Sequence, residues 1–324
     1  MVYNMFEKAI EAIKSADKIA IYTHKNPDGD AIGCAYALKL ALLSFGKLAD
    51  VYLEYENSVK LFPFTKGVEL CRISNAELLL ERDCDLRVSV DCADKKRLGV
   101  KLKNFTGNTL AIDHHISHSE FASVTLLDGN SPSCGEIVYK LICELGVDIT
   151  SDIADNLYMA IVSDTGGFKY PAVTSETLKI AADLIEKGAN FTEITRSIFD
   201  IHTPEFLKLT KIAIDKIKLY FDGKVAVMLL DGKDFKKAGL SEQAADKIVD
   251  LPRNIAGVDV SLYVRQRKGT DTKISLRSNC DVDVAQIAQK FGGGGHIRAA
   301  GFETRKKIET VVREVLEMLR GELS

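Results

Sequence analysis

The segment THKNPDGDAIG, residues 23–33, places His24, Asp28 and Asp30 within seven residues, directly after the apolar run KIAIY at 18–22. A surface turn tolerates one such aspartate. Three metal-capable side chains at the end of a buried-strand pattern point instead to cations. Three later segments repeat the theme: VDCAD (90–94), IDHH (112–115) and SDTGG (163–167). Asp28, Asp30, Asp91, Asp113 and Asp164 brought to one place would be five carboxylates, which cannot all stay ionised unless positive charge sits among them. Oxygen donors with a minority of imidazole and no thiolate suit manganese or magnesium better than a structural zinc site, although zinc and cobalt stay open. Two such ions about 4 Å apart, sharing a carboxylate and a water, are an apparatus for in-line attack on phosphorus. Asp91, accompanied in its segment only by Asp94, is the bridging candidate.

Something must carry these residues to one place. Strands are predicted at Lys18–Tyr22, Ala49–Leu53, Leu86–Val90 and Thr109–Ile112, and helices at Ala31–Phe45, Cys134–Leu145 and Ile153–Val162. The second helix opens at Ser131, Pro132 and Ser133, with Glu136 as a capping-box partner. Strands alternating with helices at this spacing imply βαβ units around a mainly parallel sheet, whose ligands gather beyond the carboxyl ends of the strands. Each acidic group follows a strand: Tyr22 leads to His24 and Asp28, Val90 to Asp91, and Ile112 to Asp113, His114 and His115. The first 187 residues are therefore expected to form a larger α/β domain. Residues 188–210 read as a polar, helical connection. Residues 211–324 read as a smaller α/β domain, with strands at Lys224–Leu230, Val258–Arg267 and Thr272–Ser278 and helices near 241–250, 283–291 and 305–320.

The 324 residues are 46% hydrophobic and 27% charged, the composition of an ordinary globular chain rather than a disordered one. No apolar stretch is long enough to span a membrane, and the charged amphipathic start is not a signal peptide, so a cytoplasmic protein is expected. Seven cysteines without a CxxC pair fit reduced thiols and argue against thiolate zinc. The net charge of −3 hides an asymmetry. Residues 1–210 carry 22 Lys+Arg against 30 Asp+Glu, and residues 211–324 carry 21 against 16. Chance variation in solvated faces would produce this split equally well as a carboxylate-rich part that holds cations and a basic part that holds an anionic substrate.

The second part has its own signal, FGGGGHIRAAG at 291–301. Standing alone, the glycines could be a flexible turn. Followed by His296 and Arg298, they gain another meaning, because consecutive glycines let backbone N–H groups approach a phosphate while imidazole and guanidinium add donors and charge. Arg277 and Ser278 in LRSN (276–279) are candidates for a second or terminal phosphate. Of the other histidines, His118 and His202 lie on polar segments and read as surface residues. Arg265, Arg267 and Lys268 read equally as a solvated strand edge or a substrate contact. Phe168 and Tyr170 read as packing residues ahead of a base-stacking platform. Gly29 reads as a turn that aims Asp28 and Asp30 at different cations.

Taken together, THKNPDGDAIG, VDCAD, IDHH and SDTGGF resemble, in order and spacing, the motifs of the DHH phosphoesterase superfamily. LRSN and FGGGGHIRAAG resemble those of its DHHA1 substrate-binding domain. The resemblance spans nearly the whole chain and implies two domains with the active site in the cleft between them. It implies a first metal held by His24, Asp28 and Asp91, and a second held by Asp30, Asp91, His114 and Asp164. His115 would face the scissile phosphate as the catalytic histidine, with Asp113 orienting the pair, and Gly293, Gly294, Gly295, His296, Arg298, Arg277 and Ser278 would bind substrate. Cys34 stands where the family commonly has serine.

The branch resembled contains stand-alone oligoribonucleases that also dephosphorylate 3′-phosphoadenosine 5′-phosphate (pAp), and phosphodiesterases of the cyclic dinucleotide pathway. The implied activity is hydrolysis of short linear dinucleotides such as pApA, of short oligoribonucleotides, or of pAp or cyclic di-AMP, releasing nucleoside 5′-monophosphates. The implied cofactors are two divalent cations, manganese first, with magnesium or cobalt as alternatives. A manganese pyrophosphatase or polyphosphatase is the alternative, disfavoured by GGGGHIRAAG. Neither a membrane nor long duplex DNA is an expected partner, and a homodimer is compatible with the reading.

Overall fold

The computed structural model describes residues 2–53, 71–72, 84–98, 105–241, 248–266 and 272–323. They divide into two compact units, Met1–Ile201 and His202–Ser324. The first unit is built on a sheet that has six parallel strands among the described residues: β1 (Lys18–Tyr22), β2 (Leu48–Leu53), β3 (Cys71–Arg72), β4 (Leu86–Val90), β5 (Thr109–Asp113) and β6 (Val124–Leu127). Their order is β3-β2-β1-β4-β5-β6. The chain thus runs outward from β1 in one direction, then returns to β4 on its other side and runs outward again. Such a reversal leaves a crevice at the carboxyl ends of β1 and β4.

Six helices accompany this sheet: α1 (Val2–Lys14), α2 (Gly29–Ser44), α3 (Cys134–Glu144), α4 (Ser151–Asp164), α5 (Ser175–Glu186) and α6 (Phe191–Phe199). The central strands read as unbroken apolar runs because both of their faces are covered. Helix α2 is apolar nearly all round, and it is buried against strands β1, β2 and β4 as well as against α3 and α4. Its contact with α4 is so close that a Cβ on Gly33 would run into the carbonyl oxygen of Asn156, and one on Gly29 into the side chain of Ser163. Gly29 opens the helix with no positive φ, so the expected turn at this position is replaced by a helix-packing reason. The cap of α3 also differs from expectation. Ser133 accepts the backbone N–H of Glu136, and the Glu136 side chain is buried rather than closing a box.

The second unit opens with α7 (Pro204–Asp215), started by Thr203 as cap and Pro204 in the first turn, and continues with β7 (Ile217–Tyr220), β8 (Val225–Leu230), α8 (Gly232–Ala238), β9 (Val260–Gln266), β10 (Thr272–Ser278), α9 (Val284–Lys290), β11 (Gly294–His296), β12 (Ala299–Thr304) and α10 (Ile308–Glu322). Its six described strands run β11-β12-β10-β9-β8-β7, all antiparallel neighbours except the parallel pair β8 and β9. One core packs β8, β9 and β10 on α9 and α10 through residues such as Val264, Leu276, Val284 and Val315. Another packs Met228, Leu230 and Tyr263 on α7 and α8. The expected connection at 188–210 contains α6 and the first half of α7. Most of the expected helix near 241–250 lies outside the described residues, as do Arg267 and Lys268. No described helix is long and apolar enough to cross a membrane.

Candidate metal centre

The chain reaches the site first from β1. After Tyr22 come Thr23 and His24, then a left-handed Asn26 (φ 54°), Pro27 and Asp28, which caps α2 by accepting the N–H groups of Asp30 and Ala31, both at 3.1 Å. The imidazole of His24 lies 3.0 Å through Nδ1 from the carbonyl oxygen of Lys25. A carbonyl only accepts, so Nδ1 carries the hydrogen and Nε2 is the atom turned toward the acids. It stands 3.9 Å from Asp28 Oδ1 and 3.6 Å from Asp91 Oδ2. The same device recurs at His114, whose Nδ1 donates to the carbonyl of Ser131 at 3.1 Å. Its Nε2 lies 3.5 Å from Asp91 Oδ1, 3.3 Å from Asp164 Oδ2 and 3.9 Å from Asp30 Oδ2.

Asp91 follows β4 in the left-handed region at φ 53°, where aspartate and asparagine are the usual non-glycine residues. Its carboxylate is shared, Oδ2 toward His24 and Oδ1 toward His114. Donor atoms of His24, Asp28 and Asp91 lie within 4.8 Å of one another, and so do those of Asp30, His114 and Asp164. A third such group joins Asp91, His114 and His115, but His115 Nδ1 is engaged 2.8 Å from Asp113 Oδ1.

The helices complete the arrangement. Asp30 is fully buried, and its carboxylate sits on the amino end of α3, accepting N–H groups from Cys134 at 2.7 Å and Gly135 at 3.0 Å. The thiol of Cys34 donates to Asp30 Oδ1 at 3.2 Å. Sequence reasoning missed both supports. The signal was the capped helix start at Ser133, since the amino end of a helix draws a carboxylate. Asp164 closes the site as the last residue of α4.

These groups fit divalent cations. Asp91 Oδ1 is buried and has no hydrogen-bond partner among the described residues. Burial first, then the charges of Asp91 and Asp164, pushes Asp30 well above the usual carboxylate range. Burial likewise lifts Asp91 against the opposing pull of the His114 imidazole, and with the charges of Asp28 and Asp91 it lifts Asp164 to about 7. Burial alone would lower His114, but the close carboxylates of Asp91, Asp30 and Asp164 outweigh it and raise this imidazole to about 10. Carboxylates crowded until they hold protons are sites where a metal ion can replace those protons.

Asp113 behaves differently. Burial would raise its carboxyl, yet hydrogen bonds from His115 and His118 outweigh that and hold it below the usual range. His118, expected at the surface, has a side chain only 1% exposed, with Nδ1 2.6 Å from Asp113 Oδ2. A five-residue spacing across a turn disguised this partnership. His202 is exposed and stacks on Phe206. Phe168 packs against Tyr158, and the ring of Tyr170 lies over Gly166.

In the second unit the substrate candidates are spread over two faces. Along β10, Lys273, Ser275 and Arg277 alternate with the buried Ile274, Leu276 and Ser278. Ser278 therefore points away from Arg277, and its hydroxyl donates to the carbonyl of Cys280 at 2.9 Å. Ser275 shares the face of Arg277 instead. Arg265, read equally as a solvated strand edge or a substrate contact, is buried on the interior strand β9, directly opposite Lys273. Arg265, Lys273 and Arg277, with Tyr263 and Ser275, line a cavity of about 230 Å³. A neighbouring one of about 410 Å³ runs from Lys273, Ser275 and Arg277 to Gly294 and Gly295. The glycine segment is a short edge strand rather than a loose turn. Gly295 has φ 143°, and a Cβ there would collide with Ala299 and Ala300 of β12. His296 is exposed, and Arg298 pairs with Asp281 at 3.2 Å.

Residues 18–161 match the DHH family, N-terminal domain, and residues 222–324 match the DHHA1 domain. The chain is 31% identical over 317 residues to the bifunctional oligoribonuclease and PAP phosphatase NrnA of Thermus thermophilus, covering 97% of this chain and 93% of that protein. Its identity to the protein of the same name from Bacillus subtilis is 26% over 306 residues, covering 92% of each. Among solved structures, an exopolyphosphatase-related protein from Bacteroides fragilis superposes with a TM-score of 0.87 at 28% identity, covering 98% of this chain and 95% of that one.

Proposed function

Because the chain belongs to the DHH family, with a DHH domain followed by a DHHA1 domain, we propose that it is a two-metal phosphodiesterase that cleaves short oligoribonucleotides, pApA first, to nucleoside 5′-monophosphates, and that it also removes a phosphate from pAp. The observation that carries this reading is the shared carboxylate of Asp91, with one oxygen toward His24 and the other toward His114. The names of the relatives from Thermus thermophilus and Bacillus subtilis support the substrate class.

In this reading His24, Asp28 and Asp91 hold one divalent cation, and Asp30, Asp91, His114 and Asp164 hold the other, with manganese the first candidate. When bound, the pair would acidify a water and offset charge on the phosphate. The protein's own groups do the rest. The carbonyls of Lys25 and Ser131 fix the tautomers of His24 and His114, so that each presents Nε2. Asp30 is immobilised by the amino end of α3. Asp113 accepts the Nδ1 hydrogen of His115, which leaves the Nε2 lone pair to take a proton from water and hand it to the departing ribose oxygen as the P–O bond breaks. In the second unit, Arg265, Lys273 and Arg277 offer charge to the phosphates of the remaining nucleotide, with Ser275 as a neutral donor.

The test is incubation of the purified protein with manganese and pApA, pGpG, cyclic di-AMP, pAp, pyrophosphate and longer oligonucleotides, followed by product identification. Release of AMP from pApA and pAp is expected. Turnover of pyrophosphate or polyphosphate with none of the nucleotides would replace this reading with a pyrophosphatase or polyphosphatase.

A further inference from the structure

We propose that His118 is a positioning residue for this hydrolysis: its Nδ1–H anchors the carboxylate of Asp113 and, through it, the imidazole of His115. The inference rests on the function proposed above, in which His115 faces the scissile phosphate.

Asp113 ends β5 and is fully buried. One carboxylate oxygen, Oδ1, accepts the Nδ1 hydrogen of His115 at 2.8 Å and the backbone N–H of His114 at 2.9 Å. The other, Oδ2, receives the Nδ1 hydrogen of His118 at 2.6 Å. A carboxylate turns about one bond, so fixing Oδ2 also fixes the direction in which Oδ1 pulls on His115. The chain goes out of its way to make this bond. Ile116 is 82% exposed, and Ser117 is exposed as well, yet the next side chain turns back inside, where its ring lies 5.3 Å from that of Phe121. A backbone bond from His118 N–H to the His115 carbonyl, 3.0 Å, closes the turn that brings it there. His118 Nε2 is buried without a hydrogen-bond partner among the described residues, so Asp113 is the ring's single polar anchor. A side chain present for packing alone would not bring a polar nitrogen into that place without a partner.

Without His118, Asp113 Oδ2 would be a buried carboxylate oxygen with no donor. The group would be free to rotate, and His115 would lose the fixed acceptor that holds its hydrogen on Nδ1.

The test compares the parent with His118→Ala and His118→Asn. Each would be loaded with manganese for steady-state kinetics on pApA, and with magnesium, after histidine-selective ¹⁵N labelling, for NMR of the ring tautomers. For His118→Ala we expect kcat to fall 10- to 100-fold, KM and manganese affinity to stay within twofold, and His115 to appear as a mixture of tautomers. His118→Asn, whose amide can still donate to Oδ2, should regain most of the lost kcat. Adding His118→Ala to Asp113→Asn should lower kcat no further, because both act through one bond. A folded His118→Ala with kcat within twofold of the parent, or with His115 still wholly hydrogenated on Nδ1, overturns the proposal. If His118→Ala does not fold, His118→Asn decides by the same kinetics and spectra: recovery supports the proposal, and a kcat as low as that of Asp113→Asn refutes it. A parent that leaves pApA intact would remove the proposed function, while the tautomers would still decide whether His118 orders His115.

Discussion

His114 Nε2 lies 3.3 Å from Asp164 Oδ2, joining the end of β5 to the end of α4 across the mouth of the site. In the metal-free protein His114, raised to about 10, holds its proton at neutral pH, and Asp164, raised to about 7, is about half protonated there. A cation that takes Nε2 and Oδ2 must expel these protons. Manganese binding at pH 7 is therefore expected to release at least about one proton, and affinity to rise from pH 6 to pH 8. Calorimetry in buffers of different ionisation enthalpy measures both; binding that releases no proton would contradict the assigned ligands.

The same shifts bear on stability. Asp30, Asp91, Asp164, His24 and His114 all have raised values in the folded protein. A raised group contributes stability that is fully present below its unfolded value and is lost as pH climbs through its folded value. The loss begins above 3.8 for the carboxylates and above 6.5 for the histidines, and extends to about 7 for Asp164 and about 10 for His114. Melting of the metal-free protein should therefore fall steadily from pH 5 to pH 9, and saturating manganese should flatten the slope. A melting temperature that rises over this range without metal would count against the crowded-carboxylate reading.

Asp91→Asn keeps a residue tolerant of the left-handed backbone and removes the charge that both sets of ligands share. We expect kcat/KM to drop on the order of 10³-fold, with unchanged circular dichroism and fewer than two bound metal ions per chain. Near-parental turnover would remove the shared-carboxylate assignment.

The two faces of β10 make separable predictions. Arg277→Ala should raise KM roughly tenfold and Ser275→Ala a few-fold, provided chemistry is slow enough for KM to follow affinity. Ser278→Ala should leave KM alone and cost about 1 kcal/mol of stability through its lost bond to Cys280. The reverse pattern in steady-state kinetics would place the substrate elsewhere.

How far these features could be read from the sequence depends on whether each was local. Strands β1, β4 and β10 begin and end as their apolar patterns predict, because a covered parallel strand or a half-covered antiparallel one writes its environment directly into its residues. β6 did not announce itself, being four residues long and only half buried. The acids and histidines at the strand ends were legible by type and spacing. Their supports were not, since the α3 N–H groups under Asp30 lie more than 100 residues away in the chain. Ser278 is a different case: alternation along a strand already separates it from Arg277, and reading LRSN as a unit concealed this. His118 was misjudged because its polar neighbours Ser117 and Ser119 are those of a surface turn, and only the fold shows the ring turned inward.

Gly33→Ala places a methyl group against the Asn156 carbonyl at the contact between α2 and α4. It should lower stability by about 1–3 kcal/mol, read from chemical denaturation. A neutral substitution would mean that the helices can part freely.

That contact acts as a gauge block. Helix α2 begins at Asp28 and Asp30, and α4 finishes at Asp164, so the opening between these carboxylates inherits its width from two helices that meet closely at Gly29 and Gly33. Ion size is then judged by the core rather than by the loops at the rim. Calcium, whose oxygen bonds run about 2.3–2.6 Å against about 2.0–2.1 Å for magnesium, would have to lever apart helices packed this closely.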